Sequence, residues 1–210
     1  MDTRFDTGIV AGTGQRRGFL IFKRAFDIAV SLVLLPPLVL AALALLLLNP
    51  AFNRGRLFYV QPRMGRDCVA FRAWKFRTMI PAAAVTRGPY DPPEDQRITR
   101  LGQVLRRTRL DELPQIINVL KGEMSLIGPR PDYIVHALRY LGEVPGYRER
   151  HAMRPGISGY AQITLGYVDS LEGVRSKTAA DLHYIGNASI RLDCWIAWRT
   201  FVTVLRGLGR

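Results

Sequence analysis

The longest apolar stretch of the chain runs from Ile28 to Leu48, 21 residues without a charge and with Ser31 as the only hydroxyl. Its length suffices for a membrane-crossing helix. Pro36 and Pro37 stand near its middle, and each removes a backbone donor and clashes with the preceding turn. A sharp bend around Ser31, Pro36 and Pro37 is therefore expected. Arg16, Arg17, Lys23 and Arg24 precede the stretch, and Arg54, Arg56, Arg63, Arg66, Arg72, Lys75 and Arg77 follow it. Positive flanks prefer the cytoplasmic side. A segment that enters, bends and returns satisfies both flanks, so a re-entrant helix-break-helix is the expectation. A bent spanning helix and a buried core helix are the alternatives.

Beyond this stretch the periodicity changes. Leu57 to Gln61 and Val69 to Arg77 read as two short strands around a turn at Met64-Gly65-Arg66-Asp67. Lys75 and Arg77, two residues apart, would share one face of the second strand. Pro81 to Gln96, with its prolines, reads as a surface loop. Thr99 to Arg109 has helical spacing, and Leu110, Leu113, Ile116, Ile117 and Leu120 continue it to a stop at Lys121-Gly122. Pro114 fits only in the first turn of that helix, which puts Asp111 and Glu112 at or just before its start. Tyr133 to Leu141 and Leu192 to Leu205 read as further helices. The latter carries Trp195 and Trp198 with Arg191, Arg199 and Arg206 along one edge, a pattern suited to a membrane interface and equally to an ordinary core helix.

Charge narrows the partners. Lys and Arg number 30 against 17 Asp and Glu, a formal net charge of +13, which calls for an anion: nucleic acid, acidic lipid or a phosphorylated substrate. No zinc finger, RNA-recognition signature or basic-aromatic platform is present, so nucleic acid is not expected. Cys68 and Cys194 match no metal spacing.

Asp111-Glu112 is the first candidate for chemistry. A carboxylate pair at a helix start is ordinarily a cap worth roughly 1 kcal/mol. Here Arg106, Arg107 and Arg109 precede it immediately. Such surroundings keep carboxylates ionised and attract phosphates. Two ionised carboxylates can hold Mg²⁺ together with substrate phosphates, and a carboxylate can attack phosphorus to give an acyl phosphate. Arg130 stands between Pro129 and Pro131, which fix its backbone and favour bidentate phosphate contact. Lys75 and Arg77 form a second cationic pair. The turn at Pro155-Gly156-Ile157-Ser158-Gly159-Tyr160 offers backbone for a close approach to a ligand.

Lys75-Phe76-Arg77-Thr78-Met79, Leu110-Asp111-Glu112-Leu113-Pro114-Gln115, Met124 to Pro131 and Pro155 to Gln162 occur in that order. Lys23-Arg24-Ala25-Phe26-Asp27 lies upstream and Asp181-Leu182-His183-Tyr184-Ile185 downstream. Over roughly residues 20 to 205 the chain resembles the small monotopic phosphoglycosyl transferases, the bacterial sugar transferase family. The resemblance implies that Asp111 is the nucleophile on a UDP-sugar, that Glu112 is associated with Mg²⁺, and that UMP leaves. Polyprenyl phosphate would then collect the phosphosugar. Lys75, Arg77, Arg109, Pro129, Arg130, Pro131, Arg154, Gln162 and Asp181 would serve substrate and phosphates. Three positions depart from the pattern. Tyr160 stands where many members have Trp, Ile163 to Tyr167 replaces a common Asn-Gly-Arg run, and Arg109 replaces a more usual Ser.

The expected fold is mainly α with a small β-hairpin. A flexible tail (1–18) precedes a re-entrant membrane helix (19–50). A membrane-associated catalytic domain (51–210) with amphipathic interfacial helices follows, on the cytoplasmic face of the bacterial inner membrane. Association with inner-membrane lipid is expected and a homo-oligomer is allowed. The competing expectation is a non-catalytic basic scaffold of polysaccharide assembly.

Overall fold

The computed structural model describes residues 13–81, 88, 90, 91, 94–166 and 170–207. Most of the expected tail (1–12), most of the expected surface loop (82–87, 89, 92 and 93), Tyr167 and the last three residues lie outside them. Helix α1 (Thr13–Val33) starts inside the stretch expected to be tail, and α2 (Leu35–Phe52) follows with Leu34 between them. The prolines act as the first-turn rule requires: Pro36 and Pro37 fall in the opening turn of α2, where a missing N–H leaves nothing unsatisfied. The break therefore lies just before them, and Ser31, fully buried with its hydroxyl unpartnered, sits one turn upstream.

Both arms dock on one body. Charges that a membrane helix would shun fasten α1 to it. Lys23 donates to Asp193 at 2.6 Å, and Arg24 donates to the carbonyls of Val119 at 2.6 Å and Leu120 at 3.1 Å. Asp27 accepts from the Ser125 hydroxyl at 2.7 Å and the Leu126 amide at 3.1 Å. The α2 arm buries a single stripe, Leu38, Leu45 and Asn49. Leu38 and Leu45 share a core cluster with Phe76, Leu105 and Ile116. Leu35, Ala41 and Ala42 pack beside them and most of the rest of α2 is exposed, which removes the reading as a core helix of a soluble domain. Val33, Leu40 and Leu47, with Trp198 near the C-terminal end, are each more than 60% exposed, an apolar surface of the kind that meets lipid.

The hairpin is β1 (Phe58–Met64) against β2 (Ala70–Phe76), antiparallel, with Tyr59 opposite Lys75 and Arg63 opposite Phe71. Phe58 packs on Phe76 and Trp74, joining the hairpin to the core under α2. Helix α3 (Arg100–Arg107) is capped by Thr99, whose hydroxyl accepts from the Gly102 amide. After it come a short 3-10 turn (Leu110–Glu112) and α4 (Gln115–Lys121), closed by Gly122 at φ 85°, as the Lys-Gly stop predicts. Asn118, fully buried, bridges α4 to β2 by accepting from the Trp74 amide and donating to the Arg72 carbonyl.

Helix α5 (Ile134–Glu143) covers β1. A parallel pair, β3 (Ser125–Ile127) with β4 (Gly156–Ser158), was not foreseen. It corrects the role of the glycine-bearing turn. A Cβ on Gly156 would lie 2.1 Å from the Gly128 amide nitrogen, and one on Gly159 2.4 Å from the Gly128 carbonyl oxygen. The close approach these glycines permit is to the chain's own backbone. Short α6 (Tyr160–Thr164), then α7 (Leu171–Asn187) and α8 (Ile190–Leu205) complete the fold, which is mainly helical as expected.

Candidate active site

The 3-10 turn projects two carboxylates into one cleft with different partners. Its entry residue, Arg109, has φ 54°. Holding a non-glycine residue there costs about 1–3 kcal/mol, a strain that clusters at functional sites. Glu112, 5% exposed, is the hub. Its carboxylate accepts from Lys75 at 2.7 Å and from both terminal nitrogens of Arg130, and Arg109 stands 3.8 Å away. Asp111, also buried, makes no hydrogen bond and no ion pair within 4 Å among the described residues. Lys75, Arg130 and Arg106 act on it only as nearby charges.

The electrostatics follow from that division. Burial pushes the Asp111 carboxyl above its ordinary range, against the pull of Lys75. Burial would do the same to Glu112, but Arg130 and Lys75 override it and hold the carboxylate well below. Thus Glu112 is a fixed anion that orients two cations, while the oxygens of Asp111 stay uncommitted. A carboxylate with uncommitted oxygens in a cationic cleft can attack an electrophilic phosphorus.

Arg130 is held at its backbone as well. The Pro129 carbonyl accepts from the Gly156 amide at 3.0 Å, and the Pro131 carbonyl from Arg63 at 2.9 Å. The Arg130 carbonyl accepts from Arg150 at 2.8 Å. Arg150, 1% exposed, went unnoticed in the sequence, where Arg148-Glu149-Arg150-His151 looks like solvated surface. It also pairs with Asp132 at 2.6 Å and Asp181 at 2.6 Å. Tyr147 and Lys177 complete the network on Asp132. The only signal available was two distant aspartates in need of a cation.

Several candidates lie outside the cluster. Asp181 pairs with Arg150 and so supports Arg130 from behind. Arg154 donates to the Gly122 carbonyl at 2.8 Å, toward the α1 side. Gln162 has its side-chain oxygen buried and unpartnered beside Gly159. Tyr160 packs its ring 5.3 Å from His183 and 6.0 Å from Trp195. Arg77 does not share a face with Lys75, because the strand ends at Phe76. Its guanidinium donates to the carbonyls of Arg56 at 2.7 Å and Asn53, while the Asn53 side chain donates to the Arg77 carbonyl at 2.7 Å. This ties the end of α2 to the hairpin. Replacing Arg77 with Met should therefore lower stability by about 2 kcal/mol or more and leave the KM for donor within twofold of wild type. A raised KM at unchanged denaturation midpoint would return Arg77 to the substrate site.

Residues 19–207 match the family model described as bacterial sugar transferase. An exopolysaccharide production protein of Rhizobium leguminosarum bv. phaseoli is 43% identical over 201 residues, covering 90% of this chain and 98% of that protein. A UDP-N-acetylgalactosamine-undecaprenyl-phosphate N-acetylgalactosaminephosphotransferase of Aeromonas hydrophila is 40% identical, covering 91% of this chain and 45% of that protein. A UDP-glucose:undecaprenyl-phosphate glucose-1-phosphate transferase of Escherichia coli K12 is 40% identical, covering 89% and 40%. The chain thus spans less than half of these last two relatives. A family match along nearly the whole chain agrees with a cleft in which a hydrogen-bonded glutamate and an uncommitted aspartate stand among arginines: the chain belongs to the bacterial sugar transferase family.

Proposed function

We propose that this protein transfers a sugar 1-phosphate from a UDP-sugar to polyprenyl phosphate, with Asp111 as nucleophile. An Asp111 carboxylate oxygen attacks the phosphorus that bears the sugar. The P–O bond to the α-phosphate breaks, UMP leaves with the electron pair, and an aspartyl phosphosugar remains. An oxygen of polyprenyl phosphate then attacks the same phosphorus and frees the Asp111 carboxylate, giving a polyprenyl diphosphate sugar. Neither step needs a proton on the leaving group, since both departing groups are stable anions. The observation that carries this reading is the contrast within the carboxylate pair: Glu112 accepts hydrogen bonds from Lys75 and Arg130, and Asp111 has no hydrogen bond among the described residues. Lys75 and Arg130, already aimed by Glu112, would stabilise charge on the transferred group without reorganising, with Arg109 close by.

Mg²⁺ fits as an ion shared with substrate. No group of three or more His, Cys, Asp or Glu side chains is gathered among the described residues, and Mg²⁺ commonly takes one or two carboxylates with substrate phosphates supplying the rest. Glu112 and Asp111 would hold it, and it would neutralise diphosphate charge.

The apolar segment is read as re-entrant at the cytoplasmic face of the inner membrane. Its support is that both ends, Lys23 to Asp27 and Asn49 to Asn53, are fastened to one body. The apolar arms between them, residues 28–33 and 35–48, reach only about 9 Å and about 21 Å as helices, short of a hydrocarbon core of about 30 Å. Such an anchor keeps the cleft at the level of lipid phosphates.

The full chain in lipid nanodiscs with polyprenyl phosphate should release UMP from at least one of a panel of UDP-sugars, and EDTA should suppress the release. Absence of UMP across the panel, with lipid acceptor and Mg²⁺ supplied, would favour the scaffold reading instead.

A further inference from the structure

One face of β1 is not used by the chemistry above. Tyr59, Gln61 and Arg63 alternate along it, with Tyr59 directly opposite Lys75, the residue bonded to Glu112. Arg63 is bridged through the backbone to Tyr133, which follows the Pro-Arg-Pro segment. Two tyrosines therefore stand near a guanidinium on the strand that pairs with Lys75, one on the same strand face and one across the bridge. The Tyr59 side chain is 42% exposed, and neither the Tyr59 nor the Tyr133 hydroxyl has a hydrogen-bond partner among the described residues. Arg63 has two of its nitrogens engaged, with Pro131 and Gln61. Tyr59 and Arg63 share this strand face with Tyr133 bridged beside Arg63, and burial raises the Tyr59 phenol against the nearby charge of Arg63.

The charge balance says what the patch is for. Arg63, Lys75, Arg106, Arg109 and Arg130 surround two carboxylates, and Arg63 and Arg130 repel one another across the gap. Crowded like charges with so few acid partners are relieved by a bound anion of about two or three charges. An exposed ring beside a cation adds a stacking platform for a flat base.

Resting on the transfer reaction above, we infer that Tyr59, Arg63 and Tyr133 form the subsite for the nucleotide half of the donor. Arg63 takes the phosphate nearest the nucleoside, and the Tyr59 ring takes the base or ribose. Asp111 and Arg130 are left with the phosphate that bears the sugar. This division explains why the leaving group needs its own cation: UMP departs with the electron pair, and Arg63 is placed to receive that charge.

The test compares UMP and inorganic pyrophosphate binding by calorimetry on the full chain in nanodiscs. Tyr59→Ala should weaken UMP about tenfold and leave pyrophosphate unchanged, whereas Tyr59→Phe should stay within twofold for both. Arg63→Lys should weaken both ligands. The KM for polyprenyl phosphate should not move in Tyr59→Ala. UMP affinity equal to wild type in both Tyr59→Ala and Arg63→Lys would overturn the subsite. If wild type binds UMP with this pattern yet transfers no sugar phosphate, the subsite stands and the transfer reading falls. If wild type transfers but both variants bind UMP normally, the reverse holds.

Discussion

Asp111→Asn should abolish UMP release, by roughly 10³-fold or more, in a protein at least as stable as wild type. Both halves follow from the same geometry. The side chain is a buried carboxyl without a hydrogen bond among the described residues, so its removal strands none of them. Because burial raises its pKa, the folded state holds this proton more tightly than the unfolded chain. Stability therefore falls as pH rises from the ordinary aspartate value, about 3.9, through the raised one, and the ionised group is a net cost at neutral pH. Asparagine removes that cost. The variant's melting temperature should match or exceed wild type at pH 7, and the gap should close as pH approaches 4. Glu112→Gln has the opposite sign. Its folded pKa is depressed, so its contribution is present at neutral pH and lost only on acidification. The substitution should lower stability at pH 7, because Lys75 and Arg130 lose a buried anion. Two adjacent carboxylates with opposite effects on stability would mark one as chemical and the other as a brace.

Arg150→Met should give the largest loss of stability of any single substitution considered, about 3–5 kcal/mol by urea denaturation. The guanidinium is 1% exposed and lies between Asp132, Asp181 and the Arg130 carbonyl. Its removal leaves Asp181 without a hydrogen-bonding cation and with Lys177 only as a nearby charge, while Asp132 keeps Lys177 and Tyr147. Adding Asp181→Asn to Arg150→Met should recover part of the loss, since the stranded charge is gone. The double variant should still show a raised KM for donor, because the Pro-Arg-Pro segment has lost its brace. Recovery of both stability and KM would mean that Arg150 has no part in positioning Arg130.

What the sequence made legible was governed by local chemistry. The hairpin, the Gly122 stop and the position of Asp111 just before α4 follow from alternation, a left-handed glycine and a proline that marks a helix start, although Pro114 stands at the N-cap rather than inside the first turn. The two prolines at 36 and 37 announced the break, although it falls at Leu34, where the last turn of α1 must end before them. Helix α7 escaped notice for a physical reason. Its buried positions Val174, Thr178, Asp181, Tyr184 and Ile185 have helical spacing, but Thr178 bonds back to the Val174 carbonyl and Asp181 pairs with Arg150, so polar residues interrupt the apolar stripe. The pair β3 and β4 is three residues each and rests on glycine contacts between distant segments. Two-residue alternation pairs Arg77 with Lys75, but β2 ends at Phe76, one residue short of Arg77. Nor did local pattern separate Asp111 from Glu112. The separation comes from Arg130 and Lys75, which reach Glu112 from 18 and 37 residues away.

The central claim is a covalent intermediate on Asp111. Wild-type protein in nanodiscs without polyprenyl phosphate, incubated with an accepted UDP-sugar and analysed as intact protein and peptides by mass spectrometry, tests it directly. The account predicts a mass gain of one phosphosugar, confined to the peptide that carries Asp111, with one UMP released per adduct and loss of the adduct when polyprenyl phosphate is added. UMP release that requires both substrates together and leaves the protein unmodified, or an adduct on a residue other than Asp111, would contradict it.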